Sequence, residues 1–196
     1  MILPIIAYGD PVLRKVADPI NADFPELETL IQNMWETMYG ANGVGLAAPQ
    51  VGLPIRLFLI DTSPFAEDED FSPEEQEELK DFKRVFINAE VVEETGSKWN
   101  FNEGCLSIPE IREDVSRNDT ITLSFVDQNF IAHTETFSGL LARVIQHEFD
   151  HIEGVLFTDH LSSLKRRLLK SRLNNISKGN IDVDYKMKFP ALKKAR

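Results

Sequence analysis

Leu27, Leu30, Ile31, Met34, Trp35 and Met38 recur at spacings of three and four, which places them on one face of a helix. The pattern predicts a helix over Phe24–Met38, with Pro25 in its first turn and Gly40 and Asn42-Gly43 at its end. A short apolar run, Ile55–Asp61, is bounded by Pro54 and Ser63-Pro64 and predicts a strand. Further strands are predicted over Val85–Thr95, Thr120–Val126 and Phe130–Phe137, the last two joined by a turn at Asp127-Gln128-Asn129. Ser138 is positioned to cap a helix running to Ile152 or Glu153, which Gly154 stops. A third helix is predicted from Ser162 to Ile176, with Leu164, Leu168, Leu169 and Leu173 facing the body. After Gly179-Asn180 the period switches to two: Ile181, Val183, Tyr185, Met187 and Phe189 alternate with charged residues, a strand signal. No internal repeat or dividing linker interrupts the 196 residues, so residues 1–196 read as one domain.

Charge changes this picture in two places. The chain carries 32 acids and 21 bases, a net of −11, which as a whole argues against a general nucleic-acid binder. Between Glu67 and Asp81 nine of fifteen residues are acidic, which reads as a solvated surface insertion, either an exposed loop or a frayed helix. Residues 160–196 hold 11 of the 21 bases and only 2 of the acids. That basic C-terminal module, with Lys165, Arg166, Arg167, Lys170 and Arg172 in one short helix, suits a salt-sensitive contact with phosphates, with a plain solvated face as the alternative. The single cysteine excludes an internal disulfide framework. The apolar start, Met1–Ile6, is too short to span a membrane and lacks a basic lead-in, so a reducing, cytoplasmic setting is expected.

The chemistry concentrates in His147-Glu148-Phe149-Asp150-His151. Two histidines four apart lie on one helix face and can grip one transition-metal ion, with Glu148 able to reach a metal-bound water as general base. A catalytic site needs a third protein ligand. Gly154 matches one known zinc-protease extension, but Phe157 stands where its third histidine belongs, and no acid lies between Asp159 and Asp182 to serve the other. Asp159 and His160 are possible ligands at unusual spacings. Cys105, in Asn102-Glu103-Gly104-Cys105-Leu106-Ser107, is the stronger candidate, although a lone cysteine is more often a small hydrophobe. Two imidazoles and one thiolate fit Zn²⁺ by ordinary ligand preference.

Gly43-Val44-Gly45-Leu46-Ala47-Ala48-Pro49-Gln50, then Glu103-Gly104-Cys105-Leu106-Ser107, then Gln146-His147-Glu148-Phe149-Asp150-His151 resemble, in that order, the three signature motifs of peptide deformylases. The resemblance implies a metallohydrolase that removes the N-formyl group from the formylmethionine of nascent polypeptides and releases formate. It implies Cys105, His147 and His151 as metal ligands, Glu148 as general base, and the Gln50 side chain and Leu106 N–H as oxyanion donors. It also implies Fe²⁺ as the native ion, with Ni²⁺, Co²⁺ or Zn²⁺ as substitutes. Gly43, Val44, Gly45, Leu46, Phe101, Gly104, Arg112, Arg143 and Val144 would border the peptide and its methionine side chain. Glu103 and Arg117 are expected to pair beneath the metal loop. The expected fold is α+β, with short antiparallel and mixed sheets around a central metal-binding helix, a C-terminal helix and a strand-like tail. The acidic insertion and the tail are both expected to stay clear of the motifs, with the basic module docking on ribosomal RNA. A zinc peptidase using the same His147, Glu148 and His151, and a non-catalytic metal-binding or ribosome-associated protein, are the rival readings.

Overall fold

In the computed structural model, which describes residues 1–66 and 71–190, the chain forms an α+β fold around one long buried helix. The elements are β1 (Ile5–Ile6), α1 (Leu27–Gly40), β2 (Gly45–Ala47), β3 (Leu57–Asp61), α2 (Pro73–Lys80), β4 (Lys83–Cys105), β5 (Ile108–Val126), β6 (Ala132–Ser138), α3 (Gly139–Ile152), α4 (Ser163–Ser177) and β7 (Met187–Lys188). Strands β2 to β6 make an antiparallel sheet in chain order, and β1 pairs in parallel with β7.

The helix α1 starts at Leu27 rather than Phe24 because Glu26 takes a left-handed conformation (φ 52°) that a helix cannot contain. Its apolar stripe, Ile31, Met34, Trp35 and Met38, packs with Leu46, Leu57, Leu59, Val85 and Ile87. On the other side of β3 and β4, Phe58, Ile60 and Phe86 meet Leu140, Leu141, Val144 and Ile145 of α3. Phe58 and Phe86 stack at 4.8 Å. Burying residues on nearly all sides of α3 fixes it firmly in the core.

Strands β4 and β5 are far longer than the expected runs and form a twisted ribbon that turns at Leu106-Ser107. Residues 90–98 of β4 are exposed, so no buried face stamps an alternating pattern on them. Of the acidic stretch, residues 67–70 lie outside the described residues. Pro73–Lys80 is a helix, started by a reciprocal capping box between Ser72 and Glu75.

Helix α4 keeps the predicted bounds within a residue, but Leu164 and Leu168 point to solvent at 57% and 72% exposure. Leu169, Leu173 and Ile176 carry its packing. The tail alternates half-buried and exposed residues from Ile181 to Lys188, as its period of two predicts, yet only Met187–Lys188 finds a strand partner. No helix among the described residues is long and apolar enough to cross a membrane.

Gly154 ends α3 at φ 70°, and a Cβ there would stand 2.8 Å from the Arg14 carbonyl carbon and oxygen. Gly154→Ala is expected to destabilise the fold by at least about 1–2 kcal/mol, the cost of the left-handed conformation alone, read as a lower urea midpoint with an unchanged slope.

Candidate metal centre and cleft

His147 and His151 project from one face of α3, with ring centroids 5.1 Å apart. The ribbon turn brings Cys105 against them. Cys105 Sγ lies 3.3 Å from His151 Nε2, and the candidate ligand atoms of Cys105, His147 and His151 all lie within 4.8 Å of one another. A tetrahedral ion with arms near 2.0 Å to nitrogen and 2.3 Å to sulfur separates such ligands by about 3.5 Å, so the three residues fit one metal ion. Burial pushes the Cys105 thiol up, but His151 and His147 outweigh it and pull the thiol down to about 5. The ligand form of the sulfur is thus favoured by its neighbours.

Glu103 organises the surroundings. It is buried, and its carboxylate accepts from His147 Nδ1 (2.9 Å), Arg117 Nε (2.8 Å) and Arg143 Nη1 (2.9 Å). Its carboxyl is held well below the usual carboxylate range: burial works against the charge, and the bonds from His147 and Arg117 outweigh burial. With Nδ1 donating to Glu103, His147 keeps Nε2 available as a metal-ligating nitrogen. Arg117 also bridges to Asp150 (2.8 Å), which in turn meets His160 (2.8 Å). The expected Glu103–Arg117 pair is therefore part of a larger network. Asp159 is paired with Arg14 and stands apart from the cluster, as does His160.

Glu148 is buried, its Oε2 has no partner among the described residues, and burial pushes its carboxyl up to about 7. A cation beside it acts in the opposite direction. Gly45 makes room for it, since a Cβ at that position would stand 2.4 Å from Glu148 Oε1. Gln50 is likewise buried and is oriented by Ala47 N–H, which donates to its Oε1 at 2.9 Å. Its Nε2 reaches Ser107 Oγ at 3.3 Å and Cys105 Sγ at 3.5 Å.

These groups open on a cleft of about 760 Å³. Gly43, Val44, Gly45, Phe101, Gly104, Arg112 and Val144 all line it, together with Gln50, Cys105, Leu106, His147 and Glu148. Leu46 does not line it; its side chain is fully buried against α1 and β3. Arg143 borders the cleft, but its guanidinium is spent on Glu103, the Val115 and Trp99 carbonyls and the Trp99 ring. Arg112 is held by Asn102 through its side-chain and backbone oxygens.

The tail does not stay clear of the motifs. Asp182, Val183, Asp184 and Tyr185 form one wall of the cleft, and the Tyr185 hydroxyl donates to the Leu106 carbonyl at 2.8 Å. The alternating pattern places Tyr185 on the apolar side of a strand signal and carries no information about what that side meets. Phe65, beside the acidic stretch, also reaches the cleft.

The sequence model of the polypeptide deformylase family matches residues 2–167. A protein of Christiangramia forsetii named peptide deformylase is 66% identical over 196 residues, all of both chains. One of Flavobacterium johnsoniae with the same name is 62% identical, again over all of both chains. The crystal structure of peptide deformylase from Thermus thermophilus superposes with a TM-score of 0.77 at 36% identity, covering 91% of this chain and 99% of that one.

Arg117→Ala would leave Glu103 and Asp150 short of a buried cation. It is expected to lower the unfolding free energy by about 3–5 kcal/mol, measured by urea titration.

Proposed function

The chain belongs to the polypeptide deformylase family, whose members remove the N-formyl group from the formylmethionine of nascent proteins, and we propose how its own residues do so. The observation that carries the proposal is a buried Glu148 with an unpartnered oxygen, set beside the Cys105, His147 and His151 cluster at the floor of the cleft. Cys105, His147 and His151 would hold one divalent ion, which when bound would supply an acidified water and Lewis-acid assistance. Glu148 takes the proton of the attacking water and later delivers it to the departing amine, so that formate and a free N-terminus leave. The Gln50 side-chain amide and the Leu106 N–H donate to the oxygen that gains negative charge. Gln50 gives up its long contact to Cys105 Sγ to do so. Gly43, Val44, Gly45, Phe101, Gly104 and Val144 enclose the formylmethionine, and Arg112 flanks the peptide beyond it. The Leu46 backbone and Arg143 act from behind that wall.

Fe²⁺ is the ion we assign, with Ni²⁺, Co²⁺ or Zn²⁺ as working substitutes. A ferrous thiolate is oxygen-sensitive, which supports a reducing, cytoplasmic location. We treat residues 1–196 as one functional unit, with 67–81 a surface insertion.

Formate release from a formyl-Met peptide under anaerobic conditions, with Fe²⁺ or Ni²⁺ bound, tests this reading. Glu148→Ala should abolish release while metal content stays, and Gln50→Ala should lower kcat by about 10²–10³-fold. Internal peptide cleavage without formate would sink the reading in favour of a peptidase.

The second reading concerns the basic module. Lys165 pairs with Glu113, and Arg172 donates to the Glu110 carbonyl. Arg166, Arg167 and Lys170 make no ion pair among the described residues, and they line a separate surface hollow. We infer that these three dock the enzyme on ribosomal RNA. The triple Arg166→Ala, Arg167→Ala, Lys170→Ala protein should lose low-salt cosedimentation with ribosomes while keeping its deformylase activity. Unchanged cosedimentation would refute the contact.

A further inference from the structure

We propose that Tyr185, in the C-terminal tail, is a positioning residue for the reaction: its hydroxyl holds the ribbon turn that carries the Leu106 oxyanion donor. The proposal rests on the reading of Leu106 given above. Tyr185 lies outside residues 2–167, which the family model matches.

Leu106 and Ser107 form a two-residue turn between the paired Cys105 and Ile108. Neither takes a positive φ, so the turn is not one of the primed types whose twist matches that of the flanking strands. Such a tip gains little from its own ladder and is braced from outside. Three braces reach it. The Tyr8 N–H donates to the Ser107 carbonyl (2.9 Å), Gln50 Nε2 donates to Ser107 Oγ (3.3 Å), and the Tyr185 hydroxyl donates to the Leu106 carbonyl (2.8 Å). The Leu106 carbonyl belongs to the central peptide of the turn, the unit whose rotation distinguishes one turn type from another. Holding that oxygen restricts rotation of the central peptide, and a turn kept in one conformation limits the directions open to the Leu106 N–H in the preceding peptide.

The tail reaches this point by a fixed register. Ile5 pairs with Met187 and Ile6 with Lys188, with the Ile5 N–H donating to the Lys186 carbonyl at 2.9 Å. Tyr185 therefore sits two residues before an anchored strand, and the Tyr8 brace comes from the chain just past the other half of the same pair. The two ends of the described chain brace the turn that holds Cys105 and Leu106.

Tyr185→Phe keeps the ring and removes the brace. Its kcat for a formyl-Met peptide should fall about three- to tenfold, the value of one hydrogen bond to a backbone carbonyl. KM should stay within about twofold, and amide exchange in the peptide spanning Cys105–Ile108 should quicken. Lys186→Ala, an exposed neighbour whose backbone bond is retained, should leave kcat and exchange unchanged and controls for general loosening of the tail. A Tyr185→Phe protein with wild-type kcat, or one that loses only thermal stability, overturns the role of Tyr185 alone. A wild-type protein that releases no formate overturns the reading on which it rests.

Discussion

Glu103 places a full negative charge in a site where only 3% of the residue meets solvent, and three elements are organised around neutralising it. Desolvating a carboxylate costs several kcal/mol. Here the cost is offset by charge-assisted bonds from Arg117 on β5 and from Arg143 and His147 on α3. Because Glu103 lies two residues before Cys105 on β4, satisfying its charge also sets the distance between the ribbon turn and the helix. The clustering of Cys105 with His147 and His151 is thus a by-product of charge balance: the same contacts that make the carboxylate tolerable bring the thiol to the imidazoles. Asp150, one residue before His151, extends the balance through Arg117 and His160 to the end of α3.

Shape works alongside charge. Glu148 can stand buried without a hydrogen-bond partner on Oε2 only because Gly45 leaves the space for it, and that space opens to the cleft rather than to a second layer of protein. A group so placed can exchange a proton with what enters the cleft that it lines. Gln50 shows the same logic with a neutral group. Its oxygen is tied down by Ala47, so its amide hydrogens point toward the thiol and the turn.

The helical parts of this arrangement were legible in the sequence because their signals are local. His147 and His151 share a face by the helix period alone, and Ser162 and Gly154 mark helix ends by their own chemistry. The strand expected over Val85–Thr95 ends short of the ribbon, because inward positions beyond it are held by the charged residues Glu103 and Arg117, which break the apolar alternation. A stripe of leucines records only spacing, and the body covers Leu169, Leu173 and Ile176 while leaving Leu164 and Leu168 in solvent. The meeting of Cys105 with α3, 46 residues from His151, depends on the ribbon's length and register, which no window of sequence contains. Elimination of the usual third ligands points to Cys105 without its geometry, and the family resemblance implies the same residue independently.

The tail illustrates the same limit from the other side. Its alternation holds from Ile181 to Met187, where Ile181, Val183, Tyr185 and Met187 are half-buried, and fails at Phe189, which is exposed. Alternation carries no information about the surface that will be met, and here that surface is the wall of the cleft rather than a sheet. Two residues of parallel pairing with β1 are enough to set the register, because a slip of one residue would turn Tyr185 to solvent and an acid toward the core. A short strand near the end of the described residues thus specifies the position of a hydroxyl at the turn next to the Cys105 thiol. The basic helix and the cleft-lining tail share the last thirty or so residues but serve different faces. Truncating the chain there would therefore disturb the ribbon turn as well as any surface contact, and the two effects separate only through single side chains.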